Sequence, residues 1–178
     1  MSSEQITQHM LELLHQSCME LFEDQSIQSE AAPEYGLPSD TPTAVIDAGN
    51  HDLEIQLMIR LPIHVLAITY PGEDQITAVD EELLEDWISE LSNRLIGRLK
   101  NKLLLHGCSL TMGLPSSYFG TEVDDLIPSG FENYSYYFSV DQELFECNLA
   151  IDIINPDMDY RIEEAPDEGP EDGELEFF

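Results

Sequence analysis

The stretch "DEELLEDWISELSNRLIGRLKNKLLLHG", residues 80–107, decides how the rest of the chain is read. Leu84, Trp87, Ile88, Leu91, Leu95 and Leu99 recur at three- and four-residue intervals. At about 100° per residue they fall in one arc. The spacing predicts a helix from Asp80 to about His106, stopped by Gly107 just past its last turn. Glu90, Asn93 and Gly97 fall in a second arc roughly opposite the first, and Asp86 and Asn101 extend the same line. A solvent-facing Glu or Asn is ordinary. An exposed mid-helix glycine is not, because it costs about 1 kcal/mol relative to alanine. Gly97 on the outward face therefore suggests a surface where something approaches the backbone.

Charge along this helix is graded. Asp80, Glu81, Glu82, Glu85 and Asp86 fill its first half, while Arg94, Arg98, Lys100 and Lys102, four of the six bases in the chain, fill its second. That order complements the helix dipole. It also offers a region of positive potential where an acidic or phosphorylated protein could land, and both readings stay open.

Working outward, residues 4–24 place Ile6, Met10, Leu13, Leu14, Leu21 and Phe22 at helical spacing with Cys18 near the stripe. His9 and His15 fall on the flanks and read as solvent-facing. Residues 25–42 hold three prolines and no periodicity, hence a loop. "TAVIDAGNHDLEIQLMIRL" (43–61) alternates as a hairpin about Gly49-Asn50. "PIHVLAITYPG" (62–72) fits either a strand or a short helix opened by Pro62. After the long helix, 108–115 reads as a strand ended by proline. A second hairpin turns at Asp141-Gln142, with Phe145, Cys147, Leu149, Ile151 and Ile153 on one face. The expected fold is α+β (mixed α/β), with helices packed on a largely antiparallel sheet. The domain spans 1–156.

The 178 residues carry 37 acids against six bases, a net charge of −31, which repels nucleic acid and anionic membrane alike. Residues 157–178 read as an acidic tail of ten acids and one base, leaving −22 in the body. The alternative is that Phe177 and Phe178 dock on a groove of this or another chain. No apolar run is long enough to span a membrane and no secretory signal opens the chain, so a cytoplasmic protein is expected. Cys18, Cys108 and Cys147 lie far apart, as reduced buried thiols do. No P-loop, GxSxG, HExxH or GxGxxG occurs. "DAGNHD" (47–52) is what any hairpin turn contains and is a weak ion-site signal.

The segment "ELSNRLIG", Glu90 to Gly97, resembles the ExxN signature of the CheC/CheX family of chemotaxis phosphatases: a Glu, an Asn three residues on, and a Gly four beyond it on a surface helix. The order of elements resembles the CheX branch over residues 1 to about 155, and argues that 62–70 is the short helix. A second motif, usual in the CheC branch, is lacking, since residues 4–24 pair Glu12 with His15 and Glu20 with Glu23. The glycine-rich turn between the first two strands is reduced to Gly49, and the acidic tail has no counterpart. The resemblance implies hydrolysis of the aspartyl phosphate of a CheY-like response regulator. Asn93 would orient the attacking water and Glu90 would engage the regulator's active-site lysine. Asp86, Arg94, Gly97 and Asn101 would line the partner-binding face. No cofactor of its own is implied, because the regulator supplies Mg²⁺, and a homodimer is expected. Competing readings are a non-catalytic adaptor, such as a flagellar-switch-type module, and a small-molecule sensor.

Overall fold

The structure, a computed structural model, describes residues 2–71, 80–119 and 126–162. Helix α1 (Ser3–Leu21) starts at Ser2, whose hydroxyl accepts from the Gln5 backbone N–H while the Gln5 side chain accepts from Ser2 N. This reciprocal cap satisfies two donors that a helix start otherwise leaves open. A 3-10 turn (Glu23–Gln25) then leads to strand β1 (Gln28–Glu30), which lies inside the segment expected to be loop. Its three exposed polar residues offer no alternation to read; pairing with a later strand creates it.

Strands β2 (Thr43–Gly49) and β3 (Leu53–Arg60) form the expected hairpin. Asn50 builds its turn: Oδ1 accepts from the Asp52 and Leu53 backbone N–H groups at 2.8 and 3.0 Å. Helix α2 (Ile63–Thr69) follows, with Pro62 as its N-cap, so the helical alternative holds. The long helix α3 (Glu81–Leu105) is capped by the Asp80 carboxylate and ends as expected. Gly107 takes φ +83°, Gly107 N bonds Leu104 O, and Cys108 N bonds Leu103 O. That paired pattern needs a left-handed residue after the last turn, hence glycine.

Of the strand expected at 108–115 only β4 (Thr111–Met112) forms, and a further piece, β5 (Ser116–Tyr118), follows beyond Pro115; both pair with β2. Between them three residues, 113–115, face only Ile46 and Asp47 across the ladder, a bulge that accommodates Pro115 without a ladder donor. Strands β6 (Glu132–Val140) and β7 (Glu143–Ile153) form the second hairpin. Its two turn residues, Asp141 and Gln142, take φ +52° and +67°, which matches the twist of the strands.

All pairings are antiparallel, in the order β1-β6-β7-β3-β2-β4, with β5 also on β2. One sheet face presents Ile46, Leu53, Ile55, Leu57, Ile59, Phe145, Cys147 and Leu149 to the apolar stripes of α1 and α3 in a single core. The other face carries a buried ion pair, Arg60 Nη1 to Glu146 Oε2 at 3.1 Å. Arg60 Nη2 also donates to the Pro38 carbonyl, which ties the preceding loop to that face. All three cysteines are buried and free. Burial pushes the Cys108 thiol up to about 11.

The boundary drawn at 156 leaves out a segment that packs on the body. Tyr160 is buried, and Arg161 N bonds the His106 carbonyl. Phe177 and Phe178 lie outside the described residues. His9 is half-buried rather than free in solvent: its Nδ1 lies 2.8 Å from the Tyr160 hydroxyl and its ring meets His106 edge-on at 4.5 Å. His15 is half-exposed; it bonds Ser29 and packs beside Tyr136 and Phe138.

Candidate functional site: the outer face of helix α3

The buried residues of α3 are Leu84, Trp87, Ile88, Leu91, Ser92, Leu95, Ile96, Leu99 and Leu103. They cover about half the helix circumference, a wider arc than the sequence reading drew, because Ser92, Ile96 and Leu103 join it. With α1 and β2 packed on that side, the opposite side faces outward. Glu90, Asp86, Arg94 and Asn101 are exposed there, and Asn93 and Gly97 are half-exposed. A Cβ built on Gly97 meets nothing within 4 Å. Packing among the described residues therefore does not explain the glycine. Lys100 and Leu104 continue the same line, and Leu104 is an exposed apolar residue.

The polar groups of this ridge differ in how they are held. Among the described residues nothing hydrogen-bonds the Asn93 side chain, so its amide has a donor and an acceptor for a visiting molecule. Glu90 is engaged: Arg94 Nε donates to its Oε1 at 2.7 Å. The Arg94 guanidinium carbon in turn lies 5.2 Å from the centre of the Trp87 ring. Trp87 is buried, donates Nε1–H to Thr69 Oγ1 at 3.1 Å, and meets Tyr70 edge-on. Sequence reasoning placed Trp87 in the core stripe and missed its second contact. The spacing of 87, 90 and 94 is compatible with it, but Thr69 could come only from the fold.

The expected positive region is largely neutralised. Lys102 Nζ bonds Glu20 Oε1 at 2.7 Å, and Arg98 reaches the other oxygen of Glu20 at 3.7 Å. Glu20 comes from α1, so this neutralisation could not be read from the charges of α3 alone. Among the described residues there is no group of three or more His, Cys, Asp or Glu side chains arranged to hold a metal ion, Asp47–Asp52 included. No helix among them is long and apolar enough to cross a membrane.

No protein-family model matches this chain, and no curated protein sequence does either. Solved structures do. The chemotaxis protein CheX from Vibrio vulnificus aligns over 81% of this chain and 99% of its own, at 12% identity and a TM-score of 0.68. CheX in the CheX–CheY–BeF3–Mg²⁺ complex from Borrelia burgdorferi covers 79% and 96%, at 18% identity and 0.62. The middle domain of FliM from H. pylori covers 84% and 92%, at 12% identity and 0.53. A shared element order over nearly the whole length of each relative, at identities this low, speaks to architecture. The chain has the α+β fold of the CheX- and CheC-like chemotaxis proteins.

Proposed function

We propose that this chain acts on a CheY-like response regulator and hydrolyses its aspartyl phosphate. The observation that carries the reading is the outer face of α3, where Glu90, Asn93 and Gly97 stand in line and, among the described residues, nothing bonds the Asn93 amide and no atom lies within 4 Å of a Cβ built on Gly97. A structural relative is known in complex with CheY, BeF3 and Mg²⁺, which supports the choice of partner.

The chemistry asks little of the visiting helix. In-line hydrolysis needs a placed nucleophile and neutralised charge more than new covalent chemistry. The Asn93 amide would hold a water against phosphorus. The new P–O bond would form as the bond to the aspartyl oxygen breaks, releasing aspartate and inorganic phosphate. The Glu90 carboxylate would engage the regulator's active-site lysine and fix the two proteins in register. Mg²⁺ would come with the regulator, and this chain would need no cofactor of its own. The missing Cβ at Gly97 would let the partner approach the backbone, and Asp86 and Asn101 would border the contact.

The test is the decay of a phosphorylated CheY-like receiver from the same host. Wild-type chain should speed phosphate loss, and Asn93→Ala should abolish the acceleration while binding persists. Unchanged decay across the host's receivers at stoichiometric wild-type protein would sink the phosphatase reading. The likeness to the FliM middle domain favours a second reading, a docking module without catalysis, for which the expected result is binding with no acceleration.

A further inference from the structure

We infer that Arg94 is a positioning residue for Glu90, held in place from helix α2 through Thr69 and Trp87. The inference rests on the reading of the ridge as a regulator-docking face and assigns Arg94 a role other than touching the partner.

Four side chains form one connected series. The Thr69 hydroxyl, at the end of α2, donates to the Val65 carbonyl at 2.7 Å and so has its lone pairs free to accept from Trp87 Nε1. Tyr70 closes on the indole edge at 5.7 Å between ring centres. The indole is thus fixed by burial, by a hydrogen bond and by an aromatic neighbour. Arg94 lies over this ring, where the guanidinium is attracted to the π face. From there its Nε donates to one oxygen of Glu90, and among the described residues nothing bonds the other.

That division of the carboxylate is what a docking residue needs. A solvent-exposed glutamate samples several rotamers and loses that freedom on binding. Arg94 restrains Glu90 beforehand through Oε1 and leaves Oε2 to meet an incoming ammonium. An arginine suits the role because its planar, permanently charged fork stacks on an aromatic ring while donating from its edge. As a helix-stabilising contact alone, an exposed i,i+4 pair contributes little. The stack on a ring that α2 holds is an arrangement such a pair does not require.

The experiment uses the full chain and a CheY-like receiver loaded with beryllofluoride and Mg²⁺, with affinity measured by titration calorimetry. Arg94→Met should weaken binding about tenfold, the scale of one charge-assisted hydrogen bond. In single-turnover phosphate loss the defect should fall on the half-saturating concentration of this chain more than on the rate constant, because the water-holding amide is untouched. Glu90→Ala should weaken binding to a similar degree, and Glu90→Ala/Arg94→Met no more than Glu90→Ala alone. Unchanged affinity in Arg94→Met overturns the inference. So do losses that multiply in the double variant, since Arg94 would then touch the partner directly. If wild-type protein neither binds nor dephosphorylates any receiver, the functional reading itself has failed, and the failing arm identifies which of the two is wrong. Far-UV circular dichroism of each variant checks that the fold is retained.

Discussion

Replacing Gly97 by alanine tests the outward ridge without needing a partner. The residue sits in the interior of a 25-residue helix with helical neighbours on both sides and no left-handed φ. An added Cβ meets nothing within 4 Å, so no steric term opposes the change. What remains is the backbone entropy that glycine loses on folding, and alanine should stabilise the chain by about 0.5–1 kcal/mol. For a chain of this length that corresponds to a rise in Tm of roughly 1–4 °C. Thermal and urea unfolding followed by circular dichroism should agree, with an unchanged urea slope. Gly97→Leu should also fold at least as well as wild type within about 0.5 kcal/mol, yet lose receiver binding. A lowered Tm for Gly97→Ala would refute the reasoning, because it would mean that the glycine serves packing.

Three further outcomes follow from features away from the ridge. Gly107→Ala should destabilise by about 1–3 kcal/mol, because φ is +83° and the new Cβ would lie 2.8 Å from the Asp159 carbonyl oxygen; urea unfolding measures it. Glu146→Ala should cost about 3–5 kcal/mol by leaving Arg60 charged and buried, with both partners only 9% exposed; an unchanged urea midpoint would contradict this. Burial first, then the neighbouring His106, lowers the His9 pKa below its ordinary 6.5, while Glu12 opposes the shift. The unfolded chain therefore binds the proton more readily, and stability should fall as pH drops below about 6.5. Melts at pH 7.5 and 5.5 should show a smaller difference in His9→Asn than in wild type.

The long helix, both hairpins and the orientation of Glu90, Asn93 and Gly97 were legible because each rests on a period that runs through many residues. Elements without a period were not. Strand β1 is three exposed polar residues inside a proline-rich loop, and only its pairing with Tyr137, Phe138 and Ser139 makes it a strand. Strand β5 follows a proline that reads as a stop, and the bulge that carries the chain past Pro115 has no signature in a single sequence. Tyr160 is one aromatic residue in an acidic run, and its burial depends on His9 and His106, both remote along the chain. The same limit applied at the candidate site. Exposure followed from helical geometry, but the restraint on Glu90 needed Thr69, and the neutralisation of Arg98 and Lys102 needed Glu20 from another helix.

The pairing of the bases also governs how fast this protein can meet anything. Arg60, Arg94, Arg98, Lys102 and Arg161 each lie beside a carboxylate, and among the described residues only Lys100 has no ion pair. Against a net charge of −31, a molecule approaching from beyond a Debye length meets a field of one sign. For an acidic partner the encounter is then slowed by repulsion, and added salt should speed association, the reverse of electrostatic steering. Recognition in such a protein would reside in the short-range fit of the α3 ridge and the lifetime of the complex, with little help from long-range attraction.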